Sequence, residues 1–106
     1  MSSELIIVLC TAPDQEVAGK LAKGLVEARL AACVNAIPAI QSFYRWQGAV
    51  QADTEVQLVI KTQPGRFEAL AAWIEANHPY EVPEIVALPA HDVSASYLAW
   101  AIQETS

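Results

Sequence analysis

The chain has 106 residues, of which 54% are hydrophobic and 17% are charged, and its net charge is −6 at pH 7. This length is typical of one domain with its own core, so we expect residues 1–106 to form a single domain. Twelve acidic against six basic side chains provide no basic cluster that would neutralise phosphates, so we expect no nucleic-acid partner.

The N-terminal sequence MSSELIIVLC does not resemble a signal peptide, because it lacks a positive n-region and its apolar run is short. No stretch reaches the roughly 20 apolar residues of a membrane span. We therefore expect a cytoplasmic protein without a membrane partner, in which Cys10 and Cys33 stay reduced. Two lone cysteines without C-x-x-C spacing do not form a disulfide framework.

The predicted elements begin with an apolar strand and an amphipathic helix. Residues 4–11, ELIIVLCT, form a nearly continuous apolar run, which is typical of a central strand covered on both faces. Pro13 and Asp14 supply helix-start chemistry. Apolar residues at intervals of three and four then predict a helix from 14 to about 30.

A long hairpin is predicted next. Residues 33–46 are rich in β-branched and aromatic side chains, and Pro38 in their middle predicts an edge, a bulge or a bend, because proline donates no ladder hydrogen bond. Residues 47–54 are predicted to be its turn region. Residues 55–62 alternate as a half-buried strand does, and one face carries Val56, Leu58 and Ile60.

The second half predicts a helix at 66–77, a strand at 84–89 and a short C-terminal helix capped by Ser94 or Ser96. The order of elements is therefore β-α-β-β-α-β with an extra C-terminal helix. This order predicts an α+β, ferredoxin-like sandwich in which an antiparallel sheet carries both helices on one face.

The usual strand order of such a sheet, 4-1-3-2, has two consequences. Strand 3 then separates Cys10 from Cys33, and two strand spacings of about 4.8 Å exceed the ~7 Å limit for bridged Cα atoms, so we expect no disulfide. The second consequence is that strand 1 is apolar on both faces while helices cover only one. We expect the open face to be covered by further copies of the chain, with the hairpin at 33–62 reaching a neighbour.

Six stretches along the chain carry a family resemblance. In order and at family spacing they resemble the CutA (CutA1) family, the divalent-cation tolerance proteins. The resemblance implies a homotrimer of ferredoxin-like subunits with long hairpins around the threefold axis, similar in architecture to the PII signalling proteins. It also implies a link to tolerance of copper and other divalent metals, with no established enzymatic reaction. The stretches are CTAPD (10–14), LAACVN (30–35), SFYRWQG (42–48), EVQLVIKT (55–62), HPYEVPEI (78–85) and YLAW (97–100).

The resemblance further implies a copper site made of a cysteine after strand 1 and two histidines before Pro-Tyr. Cys10 and His78 match these positions, whereas Asn77 replaces the first histidine. Thiolate and imidazole suit copper or zinc, so we expect binding of a divalent metal, most of all Cu(II). Because only two such donors are present, we expect the binding to be weak and to need Glu84, a neighbouring subunit or water as a further donor. The alternative is that Cys10 is a core residue and His78 only terminates a helix.

Five further residues are candidates for a ligand pocket between subunits: Tyr44, Trp46, Lys61, Tyr80 and Glu81. The spacing of Tyr44 and Trp46 puts them on one side of a strand, although packing is the commoner role of such aromatic residues. Lys61 is expected to pair with a carboxylate or to hold an anionic ligand.

Two functions follow from these residues. The first is a homotrimer that binds a divalent metal, and the alternative is a PII-like sensor or adaptor that binds a small anionic ligand or a protein partner in inter-subunit clefts. No Gly-rich loop, G-x-S-x-G motif or metal-hydrolase spacing indicates catalysis. We therefore do not expect an enzyme.

Overall fold

The computed structural model describes residues 4–106, and within this range one antiparallel sheet has the strand order β2-β3-β1-β4. This order confirms the ferredoxin-like α+β arrangement and the predicted 4-1-3-2 order, traced from the opposite edge. The elements are β1 (Ile6–Ala12), α1 (Gln15–Glu27), β2 (Cys33–Trp46), β3 (Ala49–Thr62), a 3₁₀ turn (Pro64–Arg66), α2 (Phe67–Asn77), β4 (Val86–Pro89) and α3 (Ala95–Glu104).

The first two helices cover one face of the sheet. The Asp14 carboxylate caps α1 by accepting the Val17 N–H at 2.9 Å, which satisfies a donor that the first helical turn leaves free. The two helices approach each other at Gly24, where an added Cβ would lie 2.5 Å from the Trp73 ring. Their buried side chains are Ala18, Leu21, Leu25, Leu70 and Ile74.

Alternate residues of β1 and β3 point to this helix layer and form the core, as the strand periodicity predicts. The fully buried ones are Val8, Cys10, Ala12, Leu58, Ile60 and Thr62. The intervening residues point to the other face, on which Leu9 pairs with Val59 and with Val86. We call this the open face. Within the described chain Ile7 and Leu9 of this face are half-buried and Thr11 is buried. The further cover expected from another copy of the chain stays a prediction.

The long hairpin contains a β-bulge at the predicted proline. Ile37 pairs with Gln57 and Ile40 pairs with Glu55, so Pro38 and Ala39 both lie opposite one residue of β3. One extra residue reverses the alternation of side chains along the rest of β2. Residues with even numbers after the bulge therefore share the face of Glu55: Ile40, Ser42, Tyr44 and Trp46.

The prediction that residues 47–54 form the turn region is wrong. Only Gln47 and Gly48 make the turn, with φ of 50° and 83°, and pairing resumes between Trp46 and Ala49. Positive φ at both central residues is the signature of a two-residue type I′ hairpin turn, whose twist matches that of the strands. The ladder therefore continues through residues whose polar side chains had indicated a loop.

The C-terminal helix closes one end of the structure. Ser94 is its N-cap and accepts the Tyr97 N–H at 3.4 Å. The helix is held by Gln63, whose amide donates to the Thr105 hydroxyl at 2.9 Å, and by Arg29, which donates to the Glu104 carbonyl at 3.2 Å. Among the helices of residues 4–106, none combines the length and apolarity that crossing a membrane requires.

Candidate functional site

A cleft of about 740 Å³ lies between the β2–β3 hairpin and the loop that follows α2. Its volume falls in the range of roughly 300–1,000 Å³ that is typical of small-ligand sites. Strand β2 contributes Tyr44 and Trp46 to it because the bulge turns these two side chains to the face of Glu55. The lining residues are Thr11, Ser42, Phe43, Tyr44, Trp46, Glu55, Pro79, Tyr80, Glu81, Val82, Pro83 and Glu84.

Glu55 is the most unusual side chain of the cleft, because it is only 7% exposed. Its Oε2 accepts a hydrogen bond from the Tyr80 hydroxyl at 2.5 Å. Burial, followed by this hydrogen bond and the charge of Glu55, raises the pKa of Tyr80 above its usual value, so Tyr80 acts as a donor at neutral pH. Among residues 4–106, no Lys, Arg or His forms an ion pair with Glu55.

The second tyrosine of the cleft is held in the same way. The Tyr44 hydroxyl donates to the Asp53 carboxylate across the hairpin, and this hydrogen bond raises the pKa of Tyr44. Because Tyr44 and Tyr80 each donate to a carboxylate, the lone pairs of their oxygens stay available as acceptors.

Of the five residues predicted for a ligand pocket, Tyr44, Trp46, Tyr80 and Glu81 line this cleft. Lys61 does not: its ammonium donates to the Asn35 side chain on the neighbouring strand. The charged side chains of the lining are all carboxylates, those of Glu55, Glu81 and Glu84. The cleft of one chain is therefore acidic and aromatic.

Cys10 lies on the helix side of β1, where it is fully buried. Its thiol donates to the Thr11 carbonyl at 3.7 Å. Burial raises the pKa of Cys10 from 9.0 to about 12, and the charges of Glu84 and Glu55 add to this effect. Because the thiolate is the form that binds metals, a metal at Cys10 would have to displace the thiol proton and reach a fully buried side chain.

His78 ends α2 and joins it to β1. Its backbone N–H donates to the Ile74 carbonyl at 2.8 Å. Its ring accepts the Tyr80 N–H at Nδ1, 3.1 Å away, so Nε2 carries the proton and donates to the Thr11 carbonyl at 2.7 Å. Both ring nitrogens are engaged within the chain, which leaves no lone pair for a metal.

These contacts test whether one chain fits a copper centre of Cys10, His78 and Glu84. The thiol is fully buried, both nitrogens of the imidazole are engaged, and the Asn77 amide donates to the Trp73 carbonyl at 2.8 Å. Within residues 4–106 no group of three His, Cys, Asp or Glu side chains is placed to hold a metal ion. The described residues of a single chain therefore do not fit this metal centre.

Sequence reasoning did not assign Thr11 and Glu55 to the site, although they are the two buried residues in the lining of the cleft. A signal for Glu55 exists, since it is an acidic residue at the start of a strand with a strongly apolar face. Its burial depends on Tyr80, which is 25 residues away, and no local pattern reveals that contact.

The comparisons with known proteins agree with one another. Residues 6–104 match the family model described as CutA1 divalent ion tolerance protein. The chain is similar to the divalent-cation tolerance protein CutA of Thermus thermophilus, with 50% identity over 99 residues, or 93% of this chain and 96% of the relative. It is also similar to the human protein CutA, with 46% identity over 95 residues, or 90% of this chain and 54% of the human protein. The chain thus spans nearly all of the first relative and about half of the second.

Solved structures share the fold. The crystal structure of CutA1 from Oryza sativa matches with a TM-score of 0.95 and 41% identity, covering 99% of this chain and 96% of that chain. The periplasmic divalent cation tolerance protein CutA from Archaeoglobus fulgidus matches with a TM-score of 0.93 and 35% identity, covering 96% and 99%. By sequence and by fold, this chain belongs to the CutA1 divalent ion tolerance protein family.

Proposed function

We propose that this protein acts as a homotrimer whose acidic clefts bind cations, divalent metal ions among them. Glu55 carries the proposal, because the residue is 7% exposed and its carboxylate has no positive partner among residues 4–106. Within the described chain its carboxylate has only the Tyr80 hydroxyl as a side-chain donor, and a positive charge placed beside a buried carboxylate stabilises it. A cation that enters the cleft supplies that charge.

The homotrimer is supported by the apolar surface that the chain leaves uncovered. On the open face, Val86 and Leu88 are each 47% exposed, and the hairpin presents Phe43 at 72% and Val50 at 69%. Apolar surface of this extent is typical of a subunit interface. The hairpin also gives the chain a length of 45 Å against 26 and 23 Å in the other directions, which suits an arm that packs on a neighbour.

The donors of the cleft favour metal ions that prefer oxygen. Carboxylate and hydroxyl oxygens are the ligands of hard divalent cations, whereas copper favours nitrogen and sulfur. Because the carboxylates of one chain do not converge on a point, we expect metal binding to be weak. Copper binding through Cys10 and His78 stays a prediction that requires both side chains to leave their present partners.

The alternative of an anionic ligand has less support. The lining of the cleft has three carboxylates, and its residues include no Lys or Arg. The cytoplasmic location also stays a prediction.

Sedimentation and thermal unfolding test the proposal together. We expect a particle of three 11.5 kDa chains and a rise in stability on adding Mg²⁺, Zn²⁺ or Cu²⁺, about 1.4 kcal/mol at ten times Kd. Glu55→Gln should reduce the rise, while Cys10→Ser should leave it unchanged. A monomer at micromolar concentration would refute the trimer, and identical responses of wild type and Glu55→Gln would refute the cation site. Loss of only the Cu²⁺ response in Cys10→Ser would instead support the copper centre.

A further inference from the structure

The carboxylates of the cleft line one cavity but do not converge into one metal-binding centre. Glu55, Glu81 and Glu84 all line it, yet within residues 4–106 no three acidic, His or Cys side chains are placed to hold a single ion. A bare metal ion needs ligands that converge at about 2.0–2.6 Å. A ligand whose positive charges are spread along its own chain meets separated carboxylates without that requirement.

Aromatic side chains line the same cavity as these carboxylates. Tyr44, Trp46 and Tyr80 are among them, and Trp46 and Tyr44 remain 39% and 43% exposed there. Aromatic faces attract organic cations and bury methylene groups, with cation–π contacts worth about 0.5–2 kcal/mol. A hydrated metal ion gains little from such walls, so they indicate a ligand with carbon between its charges.

The polar groups of the cleft offer acceptors to such a ligand. The Tyr80 and Tyr44 hydroxyls use their protons on Glu55 and Asp53, which leaves the lone pairs of both hydroxyl oxygens available as acceptors. An alkylammonium group has three donors and no acceptor, so it matches acceptor oxygens and carboxylates.

We propose that the ligand of this cleft is a linear aliphatic di- or polyamine, bound with one ammonium group at buried Glu55 and another toward Glu81 or Glu84. This inference rests on the proposed cation-binding function and names the chemical class of the cation. The rival source of the counter-charge is a Lys or Arg of a second copy of the chain.

Isothermal titration with spermidine as the probe tests the inference on the chain of 106 residues. We expect saturable binding that Glu55→Gln weakens at least about tenfold, or 1.4 kcal/mol, and that Glu84→Gln also weakens. Glu75→Gln is the matched control, because Glu75 is exposed on α2 and outside the lining of the cleft but removes the same charge. It should change the affinity less than twofold. Glu84, which is exposed, keeps the test valid if Glu55→Gln does not fold.

Two control ligands separate charge from shape. Butane-1,4-diol has the methylene chain without charge and should not bind, and Mg²⁺ has the charge without the chain and should bind more weakly than spermidine. Equal weakening by Glu55→Gln and Glu75→Gln would overturn the inference, because it would indicate non-specific attraction. Metal binding that depends on Glu55, with no spermidine binding, would overturn this inference and keep the proposed function. If neither spermidine nor a metal ion binds and Glu55→Gln weakens the trimer, a second copy of the chain supplies the counter-charge. Both the polyamine site and the cation site would then be refuted.

Discussion

The two faces of the sheet have similar apolar side chains and opposite surroundings. On the helix face, Val8 and Leu58 are fully buried, whereas on the open face Val86 and Leu88 are each 47% exposed. Strand periodicity distributes apolar side chains to both faces, but the helices of the described chain cover only one. The difference shows that the apolar pattern of this chain exceeds what one copy can bury.

The faces also separate residues that are neighbours in sequence. Cys10 points to the helix layer, where its thiol is protonated at neutral pH. Thr11 belongs to the open side and lines the cleft with Glu55. The sulfur donor predicted for a metal therefore lies on the covered side of the strand from which the cleft extends, and this explains why the predicted ligands do not meet.

The largest expected effect is a loss of stability on the helix face, and it tests the difference in burial between the two faces. Leu58→Ala removes a fully buried side chain and should lower the free energy of unfolding by about 2–5 kcal/mol, through lost transfer energy and a cavity. Leu88→Ala changes an exposed side chain of the open face, so it should mainly weaken the trimer. Urea unfolding at several protein concentrations measures both. If Leu88→Ala costs as much as Leu58→Ala and does so independently of concentration, the open face is not an interface.

The β-bulge of β2 can be tested by deleting its extra residue. Deleting Ala39 should restore simple alternation and move Tyr44 and Trp46 away from Glu55, because a one-residue shift exchanges the faces of a strand. We expect spermidine or metal affinity to fall about tenfold or more, with altered Trp46 fluorescence. Ala39→Gly is the control: Ala39 has φ of 62°, which glycine adopts without the roughly 1–2 kcal/mol penalty of other residues. This variant should keep the affinity, and equal losses in both variants would contradict the role of the bulge.

The helix layer itself can be tested with two glycines of α1. Gly24→Ala places a Cβ 2.5 Å from the Trp73 ring and should destabilise by about 1–3 kcal/mol through overpacking. Gly19 has nothing within 4 Å of an added Cβ, so Gly19→Ala should stabilise by up to about 1 kcal/mol through helix propensity. Thermal unfolding distinguishes the two signs. Stabilisation by both substitutions would show that Trp73 moves aside at little cost.

The smallest effect concerns the two thiols. Cys33 is partly exposed and Cys10 is fully buried, so a thiol reagent at pH 7.5 should modify Cys33 much faster. Because folding raises the pKa of Cys10 from 9.0 to about 12, the stability linked to it is full below pH 9 and is lost as the pH rises toward 12. Cys10→Ala should show a shallower loss of stability over this range than wild type. Rapid modification of Cys10 at pH 7.5 would instead show an accessible thiolate and would support the copper centre.

Much of the fold was predictable because it depends on local patterns. Alternation placed Val56, Leu58 and Ile60 on the buried face, and Pro38 indicated an irregularity where the bulge lies. The order of elements then implied the strand order of the sheet. The turn was misjudged because Gln47 and Gly48 form a tighter hairpin than their polar neighbours suggest.

The site was less predictable because it depends on contacts between distant residues. The chain by itself determined which residue types were present near the loop after α2: a histidine, a tyrosine and two glutamates. The packing of distant elements determines that the His78 ring donates to the Thr11 carbonyl, 67 residues away, and that the Tyr80 hydroxyl donates to Glu55. Secondary structure follows from the periodicity of neighbouring residues, whereas burial and hydrogen-bond partners follow from how whole elements pack. The sequence therefore indicated a metal site. Packing gives its predicted ligands Cys10 and His78 hydrogen-bond partners within the chain and forms an acidic, aromatic cleft beside them.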